Sequence, residues 1–174
     1  MFILRTKRTN HNLNLAIERA NHIVSSDEFY DGIIVKDSFD MATCKGSHIV
    51  NQMRDFKMAV NVKVYFPKFY FSRALGFYDR REPFDINLNR RKLNRSVNSL
   101  TNTLIHEWVH MVDYFDNFHS YGHGDNKRQG KENTAPYFIG LMASGLSFSN
   151  KESQMIKTKR SFMVNTRRFY CGII

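Results

Sequence analysis

The feature that most constrains this chain is the segment His106-Glu107-Trp108-Val109-His110, which has the pattern His-Glu-x-x-His. Residues four apart lie on one face of a helix, so the two imidazoles can point at one metal ion. Glu107 lies one step round the same turn, where it can reach a metal-bound water as a general base. Apolar residues at helical spacing predict a half-buried helix here, capped by Ser99 or Thr101. They are Leu100, Leu104, Ile105, Val109 and Val112.

The flanking segments predict an α+β fold. Residues 12–25 repeat apolar side chains every three or four positions and predict a helix. Strands are predicted at 32–36, 56–66 and 69–78 from their apolar, alternating or aromatic character. Phe84–Asn89 alternates apolar and polar residues just before the motif, which predicts an edge strand. A final helix is predicted to start near Pro136 and to bury Tyr137, Leu141 and Met142.

Length and charge limit the domain count and the partners. The 174 residues suit one domain, which we assign to 1–150, followed by a basic tail at 151–174. The formal net charge of +10 makes a polyanion, such as nucleic acid or an anionic surface, one reasonable partner. A solvated basic surface without a dedicated partner explains the charge equally well. The same two explanations hold for the basic cluster around the predicted edge strand, where we favour solubility: Arg80, Arg81, Arg90, Arg91, Lys92 and Arg95.

Localisation is predicted from what the sequence lacks. No stretch approaches the ~20 apolar residues of a membrane span, and residues 1–5 are too short an apolar run for a signal peptide. Cys44 and Cys171 match no zinc-binding spacing, and we expect two free thiols in a reducing compartment rather than a disulfide. We therefore expect a cytoplasmic protein, or a virion component if the chain is encoded by a phage.

A catalytic zinc site needs three protein ligands and one open position, so a third ligand must follow His110. Asp116 lies six residues on, but a ligand there needs a glycine at position 113, where the chain has aspartate. His119 is less well framed by small residues, whereas His123 lies in Gly-His-Gly, a loop that can fold back onto the metal. Glu132 is the remaining candidate, at the start of the final helix. On these grounds both His123 and Glu132 stay open as the third ligand, and Asp113 is a candidate hydrogen-bond acceptor behind the ligands.

The motif helix followed by Gly122-His123-Gly124 resembles the SprT-like family of zincin metallopeptidases. The resemblance covers roughly residues 70–126. It implies a zincin-like fold, with a small, mostly antiparallel sheet packed on a scaffold helix and on the motif helix. It also implies a Zn²⁺ cofactor held by His106, His110 and His123, and we therefore favour His123 over Glu132 as the third ligand. The stretch from Gly122 to Gly140 also resembles small zincin-like proteins of tailed phages.

The resulting hypothesis is zinc-dependent hydrolysis of peptide bonds, in which a zinc-activated water attacks and Glu107 is the general base. Tyr121 or Tyr137 would donate a hydrogen bond to the oxyanion, and we favour Tyr121. A peptide or protein substrate would add as a strand along Phe84–Asn89. The alternatives are a non-catalytic structural or DNA-associated protein with a zincin fold, such as a virion component, and a hydrolase of cell-wall peptides.

Overall fold

The fold is α+β, as predicted. The computed structural model describes residues 3–7, 10–69, 71–123 and 131–146, so the predicted basic tail at 151–174 lies outside the described residues. In chain order the elements are β1 (Ile3–Arg5), α1 (His11–Ile23), α2 (Asp27–Lys36), α3 (Gly46–Asp55), β2 (Ala59–Tyr65), β3 (Gly76–Tyr78), β4 (Asp85–Asn89), α4 (Val97–Phe115) and α5 (Ala135–Gly145). None of the helices in this described part is long and apolar enough to cross a membrane.

The helix α4 carries the His-Glu-x-x-His motif and lies at the centre of the packing. It contacts the scaffold helix α1 on one side and α5 on another. The predicted apolar stripe is buried, and Trp108 is among the largest fully buried side chains. The cap differs from the prediction, because Ser96 accepts a hydrogen bond from the backbone N–H of Ser99. The helix therefore begins about one turn earlier than expected, which gives the motif a longer rigid support.

The sheet has four strands in the order β1-β2-β4-β3 and is mixed. β2 pairs in parallel with both β1 and β4, and β3 pairs antiparallel with β4. The prediction of a mostly antiparallel sheet was therefore wrong. The prediction that Phe84–Asn89 forms an edge strand was also wrong, because β4 lies between β2 and β3. On this side of the sheet the edge strand is β3.

The polar residues of β4 explain that error, because they are buried rather than solvated. All five residues of the strand are buried. Asn61 donates to the carboxylate of Asp85 at 2.9 Å, and Asn89 donates to the backbone carbonyl of Ala74 at 2.9 Å. A buried polar side chain is tolerated when neighbouring groups satisfy its hydrogen bonds. The alternating pattern therefore marks two buried faces of different polarity, not one buried and one exposed face.

Two further predictions differ from the structure. Residues 32–36, predicted as a strand, form the second half of α2. Ser26 caps this helix, and Phe29 and Ile33, four residues apart, are both buried. The final helix does contain Pro136 in its first turn, as predicted, but its buried face is Ala135, Pro136, Ile139, Gly140 and Ala143. Leu141 is exposed, so α5 packs against α4 mainly through small residues.

The close packing of α5 on α4 depends on Gly140. A Cβ atom at this position would lie 2.7 Å from Oδ1 of Asn102, 2.9 Å from the Asn102 carbonyl oxygen and 3.2 Å from Cβ of His106. Because the neighbouring atoms include helix backbone, Gly140→Ala is expected to lower the free energy of unfolding by about 1–3 kcal/mol. Denaturant unfolding measures this loss.

The matched control for that variant is Gly145→Ala at the end of the same helix. A Cβ atom there meets nothing within 4 Å. Because alanine favours the helical state over glycine, this change should leave the free energy of unfolding unchanged or raise it by up to ~1 kcal/mol. Equal losses in the two variants would contradict the close approach of the helices at Gly140.

Candidate metal centre

The two motif histidines lie on one face of α4 with their Nε2 atoms 3.2 Å apart. Two nitrogens each about 2.05 Å from one tetrahedral zinc ion lie roughly 3.3 Å apart, so this spacing fits a shared ion. The imidazole of His106 also hydrogen-bonds to the backbone of Pro136 in α5, where the available acceptor is the carbonyl. Such an acceptor fixes the orientation and tautomer of a ligating imidazole.

The third imidazole comes from the loop that follows α4. His123 lies with its ring centroid 4.5 Å from that of His110 and 5.8 Å from that of His106. The candidate ligand atoms of the three histidines all lie within 4.8 Å of one another. The chain thus brings together the three residues that the sequence predicted as metal ligands. Their role as ligands remains a prediction.

The backbone of this loop explains the Gly-His-Gly pattern. Gly122 adopts a φ of 71°, and a Cβ atom there would lie 2.6 Å from the carbonyl oxygen of Asp40. Only glycine adopts that conformation and that close approach without strain. The backbone N–H of Tyr121 donates to Oδ1 of Asp113 at 2.8 Å. Asp113, predicted as an acceptor behind the ligands, thus anchors the loop one residue before Gly122.

Glu107 is buried against the end of β3. Its carboxylate accepts a hydrogen bond from the backbone N–H of Tyr78. Burial raises the pKa of Glu107 to about 7, and this hydrogen bond opposes the shift. A carboxylate whose pKa lies near neutrality suits both steps of general acid–base catalysis. Because Tyr78 ends β3, the same strand holds Glu107 and forms the edge of the sheet.

Burial also keeps the motif imidazoles neutral. It lowers the pKa of His106 to about 4, with the nearby His123 acting in the same direction. The pKa of His110 is lowered as well, first by burial and then by His106, His123 and Arg80. Neutral imidazole is the form that binds a metal ion. At neutral pH these two imidazoles are therefore in the form that binds a cation.

The two candidate tyrosines occupy different places. Tyr137 packs on two of the three histidines, with its ring stacked on His123 at 5.7 Å and edge-on to His106 at 4.5 Å. Tyr121 is fully buried and its hydroxyl donates to Oδ2 of Asp116 at 3.1 Å. We predicted Tyr121 as the catalytic donor, but its hydroxyl is engaged with Asp116. Tyr137, the alternative, is the tyrosine beside the histidines.

The other candidate ligands do not join this group. Glu132 is exposed, and no metal-ligating group among the described residues includes it. Asp116 and His119 belong to a second group with His48, which the sequence gave no reason to place there. His48 comes from α3, far away in sequence, so no local spacing connects it to the other two. Cys44 is a free thiol among the described residues, and Cys171 lies outside them, so the prediction of two free thiols stays a prediction.

Several arginines of the predicted basic cluster contact neighbouring residues, some of them at the protein surface. Arg95 donates to the hydroxyls of Ser99 and Thr103, and Arg81 pairs with Asp79. Arg80 lies over the ring of Tyr114, and its positive charge contributes to the lowered pKa of His110. These contacts favour a structural role for several of the arginines. A polyanion partner remains a hypothesis.

Comparison with known proteins adds no relative. No protein-family model, curated protein or solved structure matches the chain. The inference about function therefore depends on the geometry of the site.

Proposed function

We propose that this protein is a zinc-dependent metallopeptidase of the zincin type. The observation that carries the proposal is the group of three imidazoles, with two Nε2 atoms 3.2 Å apart, beside the buried carboxylate of Glu107. The residue types and the nitrogen spacing fit a tetrahedral zinc ion with one open position. The sequence resemblance to SprT-like and phage zincin-like proteins supports the same class.

The chain's own groups have distinct roles in this mechanism. A zinc ion bound there supplies Lewis acidity, which polarises a peptide carbonyl and acidifies water. Glu107 accepts the proton of the attacking water and then donates it to the leaving amine nitrogen. The Tyr78 N–H holds the Glu107 carboxylate in place during both transfers. Tyr137 is the candidate hydrogen-bond donor to the oxyanion, because its ring lies against His106 and His123.

The strand available to bind substrate is β3, rather than the predicted strand at Phe84–Asn89. β3 pairs with β4 on one side, and its last residue contacts Glu107. A peptide in extended form can pair with the main chain of β3 along its other side. That arrangement would bring the scissile bond near Glu107. Main-chain pairing tolerates many sequences, so we expect selectivity to come from the exposed side chains around the strand.

The proposal is tested with the purified full chain and a mixture of quenched fluorescent peptides. We expect hydrolysis that a chelator removes and that added zinc restores. Casein and cell-wall peptides serve as further substrates in the same assay. Bound zinc without turnover of any of the three would contradict the peptidase and favour the structural alternative.

Tyr137→Phe tests the proposed oxyanion donor. Removing one such donor typically costs about 10²–10³-fold in kcat, and we expect a loss in that range with zinc content unchanged. Steady-state kinetics and metal analysis measure the two quantities. Tyr30→Phe is the control, because its hydroxyl donates to the Val24 carbonyl in a buried contact of α2. That variant should be about 1 kcal/mol less stable than the wild type, and its activity should be unchanged. Unchanged kcat in Tyr137→Phe would remove Tyr137 from the mechanism.

A further inference from the structure

A second group of metal-ligating side chains lies at the other end of the same loop. It joins His48 of α3, Asp116 at the end of α4 and His119 of the loop that leads to His123. Their candidate ligand atoms all lie within 4.8 Å of one another. Together the two groups contain five of the seven histidines of the chain, and the remaining two, His11 and His22, lie on α1.

Both imidazoles face the carboxylate of Asp116. Nε2 of His48 is hydrogen-bonded to Oδ2 of Asp116 at 2.6 Å, a bond that a shared cation would replace, and Nδ1 of His119 lies 3.5 Å from Oδ1. The two rings are 4.2 Å apart between centroids and tilted by 48°. Nδ1 of His119 is buried and makes no hydrogen bond within the described residues. A buried imidazole nitrogen left in that state is unfavourable unless another group occupies the space it faces.

Asp116 is prepared as an anionic ligand. Its side chain is only 2% exposed, yet it accepts hydrogen bonds from the Tyr121 hydroxyl and the Phe118 backbone N–H, both at 3.1 Å. Outer hydrogen bonds of this kind orient the carboxylates that bind metals.

The donor set selects the kind of cation. Two imidazole nitrogens and one carboxylate oxygen suit zinc and similar divalent transition metals. Calcium and magnesium prefer sites made only of oxygen ligands. We propose that His48, Asp116 and His119 form a second site for a zinc-type divalent cation, which clamps the loop that carries His123. This proposal is independent of the peptidase function proposed above.

The proposed clamp follows from what the site connects. His48 belongs to α3, whereas Asp116 and His119 flank the start of the loop. The same loop is already tied to the segment before α3, because Thr43 and Ser120 exchange two hydrogen bonds of 2.9 Å. A cation shared by α3 and the loop would strengthen this connection. The position of His123, four residues after His119, would then depend on the second site.

The test is the number of zinc ions bound per chain after loading and desalting, measured by elemental analysis. We expect two in the wild-type chain and one in each of His48→Ala and His119→Ala. His11→Ala is the matched control, because this exposed histidine lies outside both groups, and it should bind two. His106→Ala/His110→Ala should also bind one ion, held at the second site. Unchanged zinc content in His48→Ala and His119→Ala would overturn the proposal.

The zinc contents of these variants also distinguish the second site from the peptidase site. A wild-type chain that binds one ion, lost in His48→Ala and kept in His106→Ala/His110→Ala, would support the second site and contradict the peptidase site. The reverse pattern would support the peptidase site and overturn the second site. The clamp also predicts a weaker first site when His48 is replaced. His48→Ala should bind zinc at His106, His110 and His123 at least about tenfold more weakly than His11→Ala does. Equal affinity there would contradict the clamp.

A measurement on the wild-type chain covers the case in which a variant fails to fold. Nuclear magnetic resonance of the imidazole ring nitrogens reports each histidine separately. With zinc, we expect five imidazoles to shift, with those of His11 and His22 unchanged as internal references. Shifts confined to the three histidines of the first group would overturn the second site.

Discussion

Replacing Glu107 by glutamine is expected to lower kcat for peptide hydrolysis by about 10²–10⁴-fold, the usual contribution of a general acid–base group. The amide cannot take a proton from water, but its oxygen can still accept the hydrogen bond that the Tyr78 N–H gives to the carboxylate. The fold should therefore persist. Zinc content should be unchanged, because the three histidines are not altered. Steady-state kinetics and metal analysis of the same preparation measure both results.

Glu28→Gln is the matched control for that substitution. Glu28 is exposed on α2, so the same chemical change there should affect neither activity nor zinc content. Full activity in Glu107→Gln would show that another group accepts the proton. Loss of zinc together with activity would instead assign Glu107 a role in holding the metal site, and the proposed mechanism would lose its base.

Replacing His123 by alanine is the second change with a large expected effect. It removes one of three protein ligands, so zinc affinity should fall by more than the ~10–100-fold that outer partners of a ligand contribute. Hydrolysis should fall with it, because the two histidines of α4 alone do not complete a catalytic zinc site. Competition with a chromophoric zinc chelator measures the affinity.

Glu132→Ala is the control for His123→Ala. It also tests the competing hypothesis that Glu132 is the third metal ligand. Glu132 is exposed and outside the group of three histidines, so its replacement should leave zinc affinity and kcat unchanged. If Glu132→Ala loses zinc and His123→Ala keeps it, the third ligand is the glutamate. That outcome would require the loop and the start of α5 to rearrange when zinc binds.

The part of the site that is local in sequence was predictable. The spacing of four between His106 and His110 places both imidazoles on one helix face, and the apolar stripe identifies the helix itself. The small residues of Gly122-His123-Gly124 indicate a loop that can fold back onto the metal site. The φ of 71° at Gly122 is the physical reason for that glycine. Choosing between His123 and Glu132, however, required a resemblance, because no spacing rule determines a ligand on a separate loop.

The errors fall where tertiary contacts override local pattern. Polar and apolar residues alternate in Asp85–Asn89, as in an edge strand, but the polar ones are buried, and Asp85 and Asn89 form hydrogen bonds with neighbouring segments inside the fold. The apolar run at 32–36 has too few residues to distinguish a buried strand from the end of a helix, and the Ser26 cap was the signal that was missed. No local spacing in the sequence relates His48 to Asp116, and only the packing of α3 beside the end of α4 brings the two together.

The most direct test of the central claim is anomalous diffraction from crystals of the zinc-loaded full chain, recorded on both sides of the zinc absorption edge. We predict a zinc peak bonded to the imidazole nitrogens of His106, His110 and His123, at the point that their 4.8 Å grouping encloses. The Glu107 carboxylate should lie next to that peak without being a ligand. A zinc-loaded crystal with no anomalous peak at these three histidines would contradict the assignment of a metal centre.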